Sequence, residues 1–268
     1  MSAGTGVWAY AITETDHITG AGGASDLSWL TGVGGAQVRA VTCSGLTVLA
    51  SDVNLDEYGE AALRENLENL DWLDEVARLH HYVVDATARL FPVLPVRLAT
   101  VYGGDAAVCA SLADHREQLL DALRRVGGRV EWGVKAYAAA DKAEAAPDQG
   151  EAEPAARESS GLAYLRRRRD QLAAGREART AAVSGAQAVH AGLADKATAA
   201  VVRPPQSAQL SKVRLPMLLN AAYLLDASDG ANFTAAVAAE ATAHPELRIE
   251  LTGPWPPYSF AGEDDDGR

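Results

Sequence analysis

The sequence predicts an α+β protein built from two domains. Apolar and polar residues alternate at positions 7–12 and again at 247–251, which is the period of a half-buried strand. Between positions 57 and 90, apolar side chains recur every three or four residues, which is the period of one helix face. An aperiodic stretch rich in alanine, acids and proline occupies 139–160 and predicts a linker or mobile loop between the domains.

The first predicted domain covers residues 1–138 and begins with three strands. A strand at 7–12 is followed by a glycine-rich loop and then by two β-branched runs at 38–42 and 46–51. The short connection Cys43-Ser44-Gly45 predicts that these two runs form a hairpin.

A long helix is predicted next, because Asn54 offers a side chain that caps free backbone amides. The helix is expected to extend from about residue 57 to about residue 90, with a bend near His80-His81, before the prolines at 92 and 95.

A strand at 96–101, a helix that starts at Asp105 or Ser111 and ends at Gly127-Gly128, and a strand at 129–137 complete the first domain. This element order predicts a ferredoxin-like α/β sandwich that contains one long helix.

The second predicted domain covers residues 161–260 and combines helices with a small sheet. Helix-forming residues fill 162–202, a strand region follows at 213–225, and a short helix is expected at 233–243. The last strand, 247–251, is expected to stop before Gly253-Pro254, because proline cannot donate to a sheet ladder. The remaining residues, 261–268, predict an acidic disordered tail.

The composition argues against two classes of partner. The chain of 268 residues has 36 acidic and 24 basic residues, a net charge of −12. Phosphate backbones and anionic membranes both select basic faces, so we expect neither nucleic acid nor a membrane as the partner. Cys43 and Cys109 lack the CxxC spacing and predict free buried thiols in a reducing cytoplasm.

No constellation of residues predicts catalysis, a metal or a cofactor. The glycine-rich segments near Gly20 and Gly32 lack the lysine of a phosphate-binding loop. His80 and His81 point about 100° apart on a helix, so they cannot readily share one metal ion. The carboxylates opposite the apolar helix face are expected to be solvated: Glu65, Glu68, Asp71, Asp74 and Glu75. We therefore expect a protein that is not an enzyme and needs no cofactor.

Arg166, Arg167, Arg168 and Arg169 form the strongest basic feature of the chain. One interpretation is a site for an acidic partner surface, and the other is an exposed helix face whose counter-charges come from nearby acids. The run alone does not discriminate between them. RNA is disfavoured because no aromatic residues are interleaved with the arginines.

A proline-stiffened aromatic run follows the last strand. Trp255, Tyr258 and Phe260 either cover a sheet as part of the core or form an exposed site for a partner. We favour packing against the sheet of the second domain, because aromatic side chains near a sheet usually bury their area.

This ending, Gly253-Pro-Trp-Pro-Pro-Tyr-Ser-Phe260, resembles that of the GvpL/GvpF family of gas vesicle proteins. Four other segments resemble family motifs in the same order: the strand at 7–12, Leu94-Pro-Val-Arg97, Glu131-Trp-Gly-Val-Lys135 and Leu219-Asn-Ala-Ala-Tyr-Leu224. The family usually continues Pro-Val-Arg with Phe-Gly-Thr, where this chain has Leu98-Ala99-Thr100. Arg97 and Lys135 thus become candidates for a structural or partner-binding role. We expect Arg97 to pair with a carboxylate or cap carbonyls.

The resemblance implies a non-enzymatic role in assembling a gas-filled protein shell, with the protein in the cytoplasm before assembly and on the gas vesicle afterwards. The implied partners are GvpA, the small hydrophobic shell protein, and other gas vesicle accessory proteins. Two other classes of function stay open. One is an enzyme that uses a cleft between the domains for a small molecule, and the other is an adaptor that binds only accessory proteins.

Overall fold

Two antiparallel sheets packed against helices form the framework of the chain, which confirms the predicted α+β class. The computed structural model describes residues 4–19, 27, 29–139, 160–205 and 215–262. The predicted linker and the predicted acidic tail lie outside the described residues, apart from positions 139, 160, 261 and 262.

The first sheet is built around β1, which carries apolar side chains on both faces. The interior residues of this strand are all buried. The neighbours follow the order β2-β3-β1-β4, and β5 also pairs with β1. The strands are β1 (Thr5–Glu14), β2 (Arg39–Cys43), β3 (Leu46–Asn54), β4 (Leu94–Pro95) and β5 (Val101–Tyr102).

The predicted hairpin is confirmed, and its turn explains why the register holds. Ser44 and Gly45 link β2 to β3, and their φ angles are 56° and 80°. Positive φ at both central residues is the requirement of the turn that matches the twist of two antiparallel strands. Cys43 consequently lies opposite Leu46, so the apolar side chains of β3 face the core.

The predicted long helix is wrong, because three shorter helices occupy its place: α2 (Leu55–Tyr58), α3 (Glu60–Asn66) and α4 (Leu70–Ala88). They follow a short helix α1 (Thr15–Thr19) after the first strand. Asn54 caps α2 as predicted, and its side chain accepts from the Asp56 amide at 2.9 Å. Asn69 caps α4 and restarts the helix there. The helix α4 continues unbroken through His80 and His81, where a bend was predicted.

Two further predictions need correction, both for the segment between residues 96 and 128. The strand expected at 96–101 is replaced by the short strands β4 and β5, because Ala99 between them has φ of 64°, outside the strand region. The following helix starts at Asp105, one of the two predicted positions, but it is divided at His115 into α5 (Asp105–Asp114) and α6 (Arg116–Val126).

The second sheet repeats the strand order of the first, β7-β8-β6-β9. Its elements are β6 (Arg129–Ala138), α7 (Ser160–Ala194), β7 (Ala199–Val202), β8 (Met217–Asp226), α8 (Gly230–Ala243) and β9 (Leu247–Trp255). The sequence of elements is βαββαβ, the ferredoxin-like order predicted only for the first domain. The expected stop at Gly253-Pro254 is wrong, because β9 is an edge strand and an edge tolerates a missing donor.

The chain forms two compact units, each with its own core. The first comprises residues 1–131 together with 254–268, and the second comprises 132–253. These bounds differ from the predicted segments 1–138 and 161–260, because the chain returns to the first unit after β9. Whether the units fold as independent domains stays a prediction.

Cys43 at the end of β2 and Cys109 in α5 form a disulfide, so the expectation of free thiols is wrong. Their Cα atoms are 5.4 Å apart, a distance that a disulfide spans. Arg39 in β2 adds an ion pair to Asp105 at the start of α5, at 2.7 Å. The two cysteines are 66 positions apart in sequence, and their spacing gave no sign that the fold brings them together.

Candidate functional site

The C-terminal aromatic run is the most informative candidate region, and it belongs to the first unit. Residues from Pro254 onwards cluster with that unit. Pro256 and Pro257 are buried, and residues Tyr258–Phe260 form one turn of 3₁₀ helix. The expectation that the run covers the sheet of the second unit is therefore wrong. Packing rather than full exposure is nevertheless what Tyr258 and Phe260 show, since Phe260 is 5% exposed.

Hydrogen bonds to one buried carboxylate fix the run in place. Glu131 is 7% exposed. The Ser259 backbone N–H donates to Glu131 Oε2 at 2.8 Å, and the Ser259 hydroxyl donates to Oε1. A charged acceptor strengthens both bonds. Arg125 adds a donor to the carbonyl oxygen of Phe260 at 3.2 Å and another to that of Gly262 at 3.3 Å.

Tyr258 packs on the histidine pair of α4. Its ring centroid lies 6.4 Å from His80 and 6.1 Å from His81. Burial, with the nearby charges of Asp85 and Glu131, raises the pKa of the Tyr258 hydroxyl above its usual range. Within the described residues this hydroxyl has no hydrogen-bond partner. The side chain therefore contributes packing to the core, and no proton-transfer role follows from its position.

Trp255 differs from the other two aromatics because a large part of its ring is exposed. The side chain is 43% exposed, and its ring meets the edge of His81 at a centroid distance of 5.4 Å. Of the predicted aromatic candidates, Trp255 is the one classed as exposed, since Tyr258 is half-buried and Phe260 is buried. In the sequence, His80 and His81 marked a predicted bend and were judged unable to share a metal ion, and nothing in their spacing indicated this packing role.

Arg97 and Lys135 belong to different units of the chain. Arg97 is exposed and its guanidinium is close to Gly262. Among the residues that the structure describes, Arg97 has no ion pair with a carboxylate, so the expected pairing is not observed. Lys135 is half-buried in β6, in the second unit.

The arginine run lies on the first half of α7. Arg166, Arg167, Arg168 and Arg169 are all exposed there. Their residue type and exposure suit an acidic surface, and the same half of the helix is exposed on every side.

The described parts of the chain contain neither a metal-binding cluster nor a membrane-spanning helix. No group of three or more histidine, cysteine or carboxylate side chains is placed to hold a metal ion in those parts. None of the described helices has an apolar run long enough to cross a bilayer.

Comparison with known proteins identifies the family. The model of the family described as "Gas vesicle synthesis protein GvpL/GvpF" matches residues 6–262. The chain belongs to the GvpL/GvpF family. It is 41% identical to Gas vesicle protein L of a Streptomyces species over 235 residues, which are 86% of this chain and 85% of that protein. It is 26% identical to Gas vesicle protein L2 of Halobacterium salinarum, over 96% of this chain and 91% of that one.

Two solved GvpF structures share the fold of this GvpL/GvpF chain. The crystal structure of GvpF from an Anabaena species matches with a TM-score of 0.62 at 20% identity, covering 98% of this chain and 99% of that one. GvpF from Microcystis aeruginosa matches with a TM-score of 0.61 at 18% identity, over 96% and 99%. At these identities the match establishes the fold alone.

Proposed function

We propose that this GvpL/GvpF protein is a non-enzymatic accessory protein that binds the shell protein GvpA and supports assembly of the gas vesicle shell. The observation that carries the proposal is an exposed tryptophan on a rigid, buried support, in a chain of this family. Trp255 is 43% exposed, while the next two residues and Phe260 are buried.

The physical reason lies in the nature of the proposed partner. A shell subunit with a gas-facing apolar surface aggregates unless another protein covers that surface before assembly. Tryptophan is a favoured anchor at interfaces, because it buries a large area with few rotatable bonds. The hydrogen bonds of Ser259 to Glu131 hold the supporting run, so little conformational entropy is lost when a partner binds Trp255. The net charge of −12 keeps the resulting complex soluble.

Co-expression with GvpA tests this proposal directly. Wild-type protein is expected to co-purify with GvpA, and Trp255→Ala is expected to weaken the complex by at least about tenfold in dissociation constant. Tyr82→Ala is the matched control, because Tyr82 is an exposed aromatic (51%) on α4, the helix that carries His81. Both variants are expected to stay folded, with a free energy of unfolding within about 1 kcal/mol of the wild type.

The outcomes separate the proposed roles. Loss of GvpA with Trp255→Ala and retention with Tyr82→Ala supports the assembly role. Wild-type protein that captures other gas vesicle accessory proteins but not GvpA would leave the adaptor role in its place. Immunoblots of isolated vesicles before and after stripping test the proposed location, which is the cytoplasm before assembly and the vesicle afterwards.

A further inference from the structure

The first half of α7 is a helical arm with no packing partner in the described chain. We call residues 160–181 the arm. From position 163 to position 181 every residue is exposed except Gly175, which is half-buried. A side-chain carbon built on Gly175 meets nothing within 4 Å, whereas one built on Gly185 or Gly192 meets a glutamate. Packing begins at Ala182, so the arm extends for about 33 Å at 1.5 Å per residue.

The arm presents an ordered face rather than scattered side chains. At about 100° per residue, Leu165 and Leu172 of the arm and Val183, two positions beyond it, lie within about 20° of one another around the helix axis. They are 62%, 53% and 39% exposed. Three arginines lie within about 40° of the same line: Arg169, Arg176 and Arg179. The buried stripe that starts at Ala182 and continues through Val189 lies roughly 100° away, so this basic and apolar face is not an extension of the core face.

The charge of the arm is opposite to that of the rest of the chain. The arm contains six arginines and two carboxylates, a net +4 in a chain of −12. An acidic surface with exposed apolar groups would match it in both respects.

Such a surface exists in the first unit. We call residues 65–75 the acidic corner, where α3 gives way to α4. Five exposed carboxylates lie there with no lysine or arginine among them: Glu65, Glu68, Asp71, Asp74 and Glu75. Leu67 and Leu70 are 38% and 77% exposed in the same segment. Asp74 is bound by Arg78 at 3.0 Å from outside the corner.

We propose that the arm of one copy docks on the acidic corner of a second copy of this chain. Arginines of the arm face carboxylates of the corner, and the exposed leucines of the two surfaces pack together. A nucleic acid would match the arginines but would leave the leucines in water. Because the two surfaces differ and every copy carries both, the contact either adds copies head to tail or closes a dimer in which each arm docks on the other copy's corner. This self-association goes beyond binding to GvpA and uses other residues.

Charge reversal on each surface, followed by mixing, tests the proposal. The arm variant is Arg169→Glu, Arg176→Glu and Arg179→Glu, and the corner variant is Glu68→Lys, Asp71→Lys and Glu75→Lys. Sedimentation velocity at about 50 mM salt is expected to show concentration-dependent oligomers of the wild type, which dissociate at about 500 mM salt. Each variant alone is expected to bind itself at least about tenfold more weakly. An equimolar mixture is expected to associate again, because each reversed surface then meets a complementary one.

A control variant separates local from overall charge. Asp114→Lys, Glu117→Lys and Asp121→Lys change the net charge as the corner variant does, but on the exposed side of α5 and α6. This control is expected to associate like wild type, and circular dichroism confirms that all variants are folded. A wild type that stays monomeric at every concentration, or a mixture that does not associate, overturns the proposal. Binding of the arm to a DNA or RNA oligonucleotide in place of self-association also overturns it.

Discussion

At the residue scale, His80 shows how one buried side chain affects the stability of the protein. It is 2% exposed. Its Nδ1 accepts from the indole N–H of Trp8 at 3.0 Å, and its Nε2 lies 3.0 Å from the carbonyl oxygen of Val96. A carbonyl only accepts, so Nε2 must carry the proton and the ring must be neutral. Burial lowers the pKa of His80 from 6.5 to about 4, and His81 lowers it further while the Val96 carbonyl acts in the opposite direction.

This shift predicts acid sensitivity at a defined pH. The folded pKa lies below the unfolded one, so the unfolded chain binds more protons between pH 6.5 and pH 4. Stability present at neutral pH is therefore lost as the pH falls through this window, by as much as about 3 kcal/mol. Denaturant unfolding at pH 7.5, 6 and 5 measures the loss. His80→Gln, whose amide does not titrate, should flatten the profile over this window, and an unchanged slope would contradict the assignment.

Ala99 stands where the family usually has glycine, and its backbone explains the preference. Its φ is 64°, in the left-handed region that costs an L-residue about 1–2 kcal/mol. Backbone bonds on either side hold it there, from Val96 N–H to the Tyr10 carbonyl at 2.9 Å and from Ala9 N–H to the Thr100 carbonyl at 3.0 Å. Ala99→Gly is expected to raise the free energy of unfolding by about 1 kcal/mol, after the extra entropy of the unfolded glycine.

The control for Ala99 has the opposite sign. Ala107 lies exposed inside α5, where glycine costs about 1 kcal/mol relative to alanine. Ala107→Gly should therefore destabilise by that amount in the same denaturation assay. Equal losses from both substitutions would show that the left-handed conformation of Ala99 carries no strain.

At the element scale, the sequence predicted what local chemistry determines. The Ser44-Gly45 turn and the Asn54 cap depend on neighbours a few positions away, and both are as predicted. Three shorter helices replaced the predicted long one, since Asn69 is a cap inside an unbroken apolar period. The placement of the C-terminal run depends on a bond between residues 131 and 259, and no periodicity in a single sequence records a contact of that separation. The sequence alone identified Trp255 as a candidate residue, but it did not predict how much of the side chain is exposed.

The C-terminal run is expected to stabilise the first unit through one aromatic more than another. Phe260 is 5% exposed and Trp255 is 43% exposed. Phe260→Ala should lower the free energy of unfolding by about 3–4 kcal/mol, because it leaves a cavity, while Trp255→Ala should cost about 1 kcal/mol or less. Removal of residues 263–268 serves as the truncation control and should leave the melting temperature unchanged. Equal losses from the two alanine variants would refute the division into support and contact residue.

The disulfide between β2 and α5 leads to a second prediction at this scale. The Cys43–Cys109 disulfide closes a loop with a sequence separation of 66 residues. Loop-closure entropy for that length gives about 4 kcal/mol, and measured losses for native disulfides are about 2–5 kcal/mol. A reductant should therefore lower the melting temperature of the wild type. The double variant Cys43→Ser, Cys109→Ser should melt at the lower temperature and not respond to the reductant. If the reductant leaves the melting temperature of the wild type unchanged, the disulfide does not stabilise the fold.

At the scale of the whole molecule, two sheets with the same strand order pack against two different kinds of core. The first unit buries large aromatics, including Trp8, Tyr10, Tyr58 and Phe91. The second buries many small side chains, including Ala136, Ala182, Ala186 and Ala221. One topology therefore accommodates both compositions, because the core requires total volume and pattern rather than particular residues.

Separate cores predict separate unfolding, which the tryptophans allow to be observed. The chain has five tryptophans, and Trp132 is the one in the second unit. In a Trp132→Phe background, fluorescence reports the first unit, while far-ultraviolet circular dichroism reports the helices of both units. Leu49→Ala and Leu193→Ala each remove a fully buried side chain from one unit, at a cost of about 3 kcal/mol. Leu49→Ala is expected to shift the fluorescence transition, while Leu193→Ala is expected to shift part of the dichroism transition and leave the fluorescence transition unchanged. If Leu193→Ala shifts the fluorescence transition as well, the two units unfold as one cooperative structure and the two-domain division is wrong.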